Sequence, residues 1–228
     1  MLLDFDGTLS EIVVRPELAR PVPGVATVVA ALARVFDLVA VVSGRPSEEV
    51  ERLLAADGVR YEGCYGLESV AATEEVLGRV RATASGIEGV WVEPKPASIA
   101  VHYREAGDPK VARDLLGDGL REIAGRHGLE VMEGKMVLEL VPSGASRKGG
   151  VVERLVAAAG LRAVLYAGDD SPDIEAFDAL DHFRAAGLIT AKVAVDGPET
   201  PAELLSAADL VVEGPSGLVE VLKGLAAR

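Results

Sequence analysis

Asp4-Phe5-Asp6-Gly7-Thr8 is the stretch on which the fold turns. The apolar opening Met1-Leu2-Leu3 makes residues 1–5 a short buried strand, and the two acids fall where that strand ends. In doubly wound sheets, ligands bind at the carboxyl ends of the strands. Acids two apart share one strand face, but a turn after Asp4 lets both reach one pocket, and Gly7 permits that turn. A solvated acidic turn is the plainer alternative for these five residues.

Working outward, residues 38–42 form a continuous apolar run, the mark of a buried parallel strand. It stops at Ser43-Gly44, and Pro46-Ser47-Glu48-Glu49 opens a helix with Pro and acids in its first turn. Residues 25–35 have helical spacing, and 59–65 read as a third short strand. The middle of the chain differs. Residues 73–85 and 108–127 are helical and 89–94 and 98–104 extended, while 129–132 and 135–141 predict a hairpin around Glu133-Gly134. After Pro142 the first style returns, with helices at 147–159, 172–180 and 216–226 and strands at 163–167, 189–195 and 210–212. The reading is α/β: a doubly wound parallel-sheet core from residues 1–70 and 142–228, interrupted by an α+β cap at 71–141.

Composition narrows the function classes. The 228 residues carry 23 Lys and Arg against 36 Asp and Glu, a net charge of −13, with no basic cluster. Nucleic-acid and anionic-membrane partners are therefore not expected, because phosphate contacts need concentrated positive charge. Hydrophobic residues make up 49%, which excludes a disordered chain. No apolar run approaches the ~18 residues of a membrane span. Cys64 is the single cysteine, so no intrachain disulfide forms. A monomer in a cytoplasmic setting is the simplest expectation.

Three further signals accompany the acidic turn. Gly168-Asp169-Asp170, with Asp173 three residues on, follows another apolar strand. Adjacent carboxylates at a strand end repel unless a cation lies between them, and oxygen-only ligands favour Mg²⁺. An N-cap at Asp170 or Ser171 is the plainer alternative. Ser43-Gly44-Arg45 offers a hydroxyl and backbone N–H groups suited to phosphate oxygens, or a simple cap. Lys148-Gly149 opens a helix. A lysine there opposes the helix dipole, so an anionic partner or plain solvent exposure must account for it.

In order and spacing these four motifs resemble the haloacid dehalogenase superfamily of phosphotransferases. A narrower resemblance, to trehalose-6-phosphate phosphatases, runs through Leu3–Ser10, 41–46, Tyr65-Gly66-Leu67-Glu68, Leu138-Glu139-Leu140-Val141-Pro142 and Gly168-Asp169-Asp170 with Asp173 and Phe177. Tyr65 stands where a His is common, and Pro172 and Ile174 flank Asp173 where Thr and Glu are usual. Only three residues precede Asp4, which leaves room for a natural start upstream of Met1.

The resemblance implies Asp4 as nucleophile and Asp6 as acid and base. It implies Mg²⁺ on Asp4, the Asp6 carbonyl and Asp169, with Asp170 and Asp173 behind them. Ser43, Gly44 and Lys148 would hold the phosphoryl oxygens. Arg45, Glu68, Lys95, His102 and Glu139 are the sugar candidates, with Ser98 and Arg104 sharing the face of His102 by alternation. His127 and His182 read as surface residues, and Trp91 and Cys64 as packing. The expected substrate is a small-molecule sugar phosphate, trehalose 6-phosphate. Another phosphosugar, such as a glycosyl-3-phosphoglycerate or a hexose phosphate, and a non-catalytic phospho-acceptor or sugar-phosphate-sensing domain stay open as alternatives. The acid Asp6 and the inserted cap argue against the last.

Overall fold

The computed structural model describes residues 1–64, 74–95, 98–142 and 148–227. The chain divides into two compact units, Met1–Gly66 with Ser146–Arg228, and Leu67–Ala145.

The first unit is built on a six-stranded parallel sheet. Its strands are β1 (Leu2–Leu3), β2 (Ala40–Val42), β3 (Arg60–Glu62), β8 (Ala163–Gly168), β9 (Ile189–Asp196) and β10 (Leu210–Glu213). Their order is β10-β9-β8-β1-β2-β3, so β1 lies between β8 and β2 near the middle. All five pairings are parallel. Period-two alternation divides the apolar residues between the faces. Leu3, Val41, Ala167 and Val193 pack with helices α1 (Val25–Leu32), α2 (Ser47–Leu54) and α8 (Gly214–Ala226). Leu2, Val42, Tyr166 and Ala194 pack on the other face with α5 (Lys148–Ala159), α6 (Ser171–Ala185) and α7 (Ala202–Ala207). Burial of each large side chain stabilises the fold by about 1.5–3 kcal/mol.

The first strand is shorter than its apolar run suggests. Asp4 still donates its N–H to Ala167. At Phe5 the chain folds back, and the Phe5 carbonyl accepts from the amides of Thr8, Leu9 and Ser10. That turn removes Phe5 from the ladder and carries the acidic motif at the carboxyl end of β1. Helix α6 runs past residue 180 to Ala185, because Asp181 to Ala185 include no Gly or Pro to end it. Helix α7 is too short for its periodicity to stand out from the surrounding loop.

The inserted unit is an antiparallel sheet, β4 (Trp91–Pro94), β5 (Ile99–His102), β7 (Val137–Pro142) and β6 (Leu129–Gly134), in the order β4-β5-β7-β6. Ile99, Val101, Leu138 and Leu140 cover one face with α3 (Glu74–Ala84) and α4 (Pro109–Arg126). Asp108 caps α4, accepting from the amides of Lys110 and Val111. The β6–β7 hairpin turns two residues later than Glu133-Gly134. Gly134 pairs with Val137, which leaves Lys135-Met136 as the loop. Met136 adopts a left-handed φ of 59° there, a conformation that the turn imposes and that side-chain type alone does not signal.

Candidate active site

The carboxyl ends of β1 and β8 bring the acidic motifs together. Carboxylate oxygens of Asp4, Asp169 and Asp173 lie within 4.8 Å of one another, all three residues buried. Lys148, at the start of α5 and only 4% exposed, lies between two of them. Its Nζ donates to Asp4 Oδ1 and to Asp173 Oδ1, each at 2.6 Å. The anionic partner that offsets the helix dipole is thus a pair of carboxylates.

Asp173 is saturated by donors. Besides Lys148, its Oδ1 accepts from the Tyr166 hydroxyl at 2.7 Å. Its Oδ2 accepts from the amides of Asp169 at 3.0 Å and Asp170 at 2.9 Å. Asp170 is the N-cap of α6, its side chain accepting from Ser171 N–H at 2.7 Å. Capping and site chemistry therefore coincide: the box that starts α6 also fixes the backbone bearing Asp169. Thr8 ties the two strand ends together, donating to Asp169 Oδ1 at 2.9 Å and lying 3.3 Å from Asp4 Oδ2.

Glycine is required at two close approaches. Gly7 has φ 82°, and a Cβ there would fall 1.9 Å from Asp169 Oδ2. A Cβ on Gly168 would fall 2.3 Å from the carboxyl carbon of Asp173.

Electrostatics follow the burial. Desolvation raises the Asp4 pKa well above the usual carboxylate range; Lys148 opposes the shift, while Asp173 and Asp169 add to it. The Tyr166 hydroxyl is likewise pushed up, first by burial and then by Asp173.

Asp6 lies apart from this cluster of carboxylates. Arg45 donates to it twice, Nε to Oδ2 at 2.7 Å and Nη2 to Oδ1 at 2.8 Å. The third face of the guanidinium meets Glu49, one turn on in α2. So Arg45, expected on substrate hydroxyls, has its guanidinium on two carboxylates of its own chain. Burial lowers its pKa, but the bonds to Asp6 and the charge of Asp6 outweigh that and raise it. Ser43 is buried and its Oγ accepts from the Arg45 amide at 3.1 Å. Gly44 is half-buried in the same turn.

The trehalose-phosphatase family model matches residues 2–209. The chain belongs to the trehalose-phosphatase family. A trehalose-phosphate phosphatase of Mycobacterium leprae is 35% identical over 236 residues, a match spanning 90% of this chain and 53% of that protein. An uncharacterized glycosyl hydrolase of Mycobacterium tuberculosis is 37% identical over 212 residues, spanning 83% of this chain and 16% of its own length. The chain thus spans about half, or far less, of these relatives. The C-terminal domain of Candida albicans trehalose-6-phosphate phosphatase superposes with a TM-score of 0.82 at 22% identity, covering 99% of this chain and 91% of that one. A haloacid dehalogenase-like hydrolase from Bacteroides thetaiotaomicron superposes with a TM-score of 0.67 at 16% identity, covering 98% of each. The fold is the haloacid dehalogenase fold, a six-stranded parallel sheet with an inserted four-stranded antiparallel cap.

Within the inserted unit of this trehalose-phosphatase family member, two polar groups form. Glu139 is 5% exposed. It accepts from Lys95 Nζ at 3.1 Å and from the hydroxyl of Ser98. His102 Nε2 lies 2.8 Å from Glu93 Oε2, and Trp91 stacks on its ring at 3.9 Å. Register explains this grouping, since Trp91 faces His102 and Glu139 faces Ala100 across the ladders. Arg104 instead donates to the Lys135 carbonyl. Glu68 lies outside the described residues. His182 is exposed and Cys64 buried. Among the described residues no helix is long and apolar enough to cross a membrane.

Thr8, Glu49, Tyr166 and Glu93 also contact these groups. Glu49 is signalled by its i+4 spacing from Arg45, and Glu93 by a diagonal cross-strand position, opposite Ala100 and two residues from His102 on the same face. Tyr166 sits inside an apolar strand run, where its hydroxyl gives no sign of a partner seven residues ahead.

Proposed function

We propose that the chain is a Mg²⁺-dependent phosphatase that releases phosphate from a sugar phosphate, trehalose 6-phosphate, through a phosphoryl group carried on Asp4. The observation that carries this reading is the contact of Lys148 with Asp4 inside a buried acidic cluster, in a chain of the trehalose-phosphatase family.

The cluster fits a divalent cation. Three carboxylates and one ammonium leave 3 − 1 = 2 formal negative charges, and every donor is a hard oxygen. Asp4 and Asp169 would hold the ion with the Asp6 main-chain carbonyl. Asp173, engaged by four donors, serves instead to orient Lys148 and the backbone of Asp169. Bound Mg²⁺ would shield Asp4 from the anionic phosphate and polarise a phosphoryl oxygen.

The protein groups then act in sequence. An Asp4 oxygen attacks phosphorus, and the phosphorus–oxygen bond to the sugar breaks. The electron pair stays on the sugar oxygen, which takes a proton from Asp6. Water then attacks the phosphorus of the aspartyl phosphate and gives its proton to Asp6, which frees phosphate and restores Asp4. Lys148, the Ser43 hydroxyl and the Gly44 N–H stabilise the charge on the transferring oxygens. The inserted unit supplies sugar selectivity, with Lys95, His102 and Glu139 as hydroxyl partners.

Phosphate release from a panel of sugar phosphates with Mg²⁺ tests the reading. Trehalose 6-phosphate is expected to have the highest kcat/KM. A higher value for a hexose phosphate or a glycosyl-3-phosphoglycerate would move the substrate while keeping the chemistry. No release from any ester would leave a phospho-acceptor or sensing role.

A further inference from the structure

Asp6 is held by a side chain that is itself immobilised on every side. Arg45 is 6% exposed, while the Asp6 side chain is 35% exposed. The guanidinium takes both Asp6 oxygens in a bidentate pair, meets Glu49 with its remaining nitrogen and lies 5.7 Å from the centre of the Phe5 ring. The backbone of Arg45 is fixed as firmly. Its N–H donates to Ser43 Oγ, and its carbonyl accepts from the Cys64 amide at 2.9 Å. The segment after β3 reaches Arg45 only because residue 63 is glycine: a Cβ there would fall 2.0 Å from the Ser47 nitrogen and 2.7 Å from the Arg45 carbonyl oxygen. Cys64, which makes the contact, holds a left-handed φ of 49°. A non-glycine residue in that region is strained, and strain persists where the surroundings over-determine it.

A planar guanidinium with two parallel bonds fixes the plane of a carboxylate as well as its position, which a single ammonium does not. We propose that Arg45 is a positioning residue for Asp6, that it holds Asp6 by both oxygens when the carboxylate is ionised and by one when the other carries the proton, so that it sets the orientation from which Asp6 exchanges that proton, and that the Gly63-Cys64 turn is the backstop that keeps Arg45 in place. This rests on the reading of Asp6 as the proton carrier of a phosphatase. It assigns Arg45 a role through Asp6 in place of a sugar contact.

Leaving-group dependence tests it. A sugar alkoxide needs protonation as it departs, whereas p-nitrophenolate needs little. The value of kcat/KM stops at the first irreversible step, so it reports that departure for both esters. Wild type, Arg45→Lys and Arg45→Gln are compared with Mg²⁺ on trehalose 6-phosphate and p-nitrophenyl phosphate. Arg45→Gln is expected to lose roughly 10–100-fold on the sugar ester, less than the ~10²–10⁴ of losing the general acid itself because Asp6 is still present, and only a few-fold on the aryl ester. Arg45→Lys, which keeps the charge but not the fork, is expected to fall between wild type and Gln. It carries the test alone if Arg45→Gln does not fold. Equal losses on both esters, no loss on either, or a rise in KM with kcat unchanged would overturn the positioning role while leaving the phosphatase reading intact. A wild-type chain that releases phosphate from neither ester would overturn both.

Discussion

Lys148 Nζ stands 2.6 Å from Asp4 Oδ1 and 2.6 Å from Asp173 Oδ1, so one buried cation joins residues 144 and 25 positions away in the chain. That geometry ties stability to chemistry. Removing the cation leaves two carboxylates buried without their partner, and breaking a buried pair costs about 3–5 kcal/mol. Lys148→Met should lower the unfolding free energy by that order in urea titrations. Its phosphate release should fall by roughly 10²–10³ as well, the scale of losing one group that stabilises transition-state charge. A variant as stable as wild type would contradict the account of the pair.

Asp173→Asn keeps the size but cannot replace the carboxylate. One of its two ends becomes an NH₂ that faces either Lys148 and Tyr166 or the two backbone amides. The expected cost is about 1–3 kcal/mol for each buried donor left unpaired, together with weaker Mg²⁺ binding, because either the Asp169 amide or Lys148 loses its acceptor and the cluster shifts. Isothermal titration of the metal and thermal unfolding check the two halves separately.

Gly7→Ala combines a left-handed φ of 82° with a Cβ only 1.9 Å from Asp169 Oδ2. Asp169 must swing away, so the expected result is a loss of metal affinity larger than the loss of fold stability. Wild-type Mg²⁺ affinity in Gly7→Ala would refute this.

The metal-free protein should have a characteristic pH dependence. Burial raises the folded-state pKa of Asp4 above its unfolded value. The native state therefore binds more protons than the unfolded state in that window, and stability falls as pH rises from the usual carboxylate range through the raised Asp4 value. Saturating Mg²⁺ should flatten this slope, because the cation favours the charged form. Tm measured against pH with chelator and then with Mg²⁺ gives the comparison. A slope of the opposite sign in chelator would contradict it.

Much of this was legible in the sequence because strand-end motifs are local. Asp4 to Thr8 and Gly168 to Asp170 each follow a short apolar run, and buried parallel strands announce themselves as such runs. What stayed hidden was long-range pairing. Nothing in Ser43-Gly44-Arg45 says whether the guanidinium faces a ligand or Asp6, because the answer depends on β1 and β2 being neighbours and on the backstop at Gly63-Cys64. The hairpin turn at Lys135-Met136 was hidden for a similar reason. Gly134 looks like a turn residue, yet strand register makes it the last ladder partner of Val137.

The central claim is that Asp4 is the nucleophile, and phosphate release from trehalose 6-phosphate by wild type and Asp4→Asn, with Mg²⁺, tests it most directly. The account predicts steady turnover by wild type and a loss of at least ~10³ in Asp4→Asn, with cooperative unfolding retained. Near wild-type turnover by a folded Asp4→Asn would contradict it.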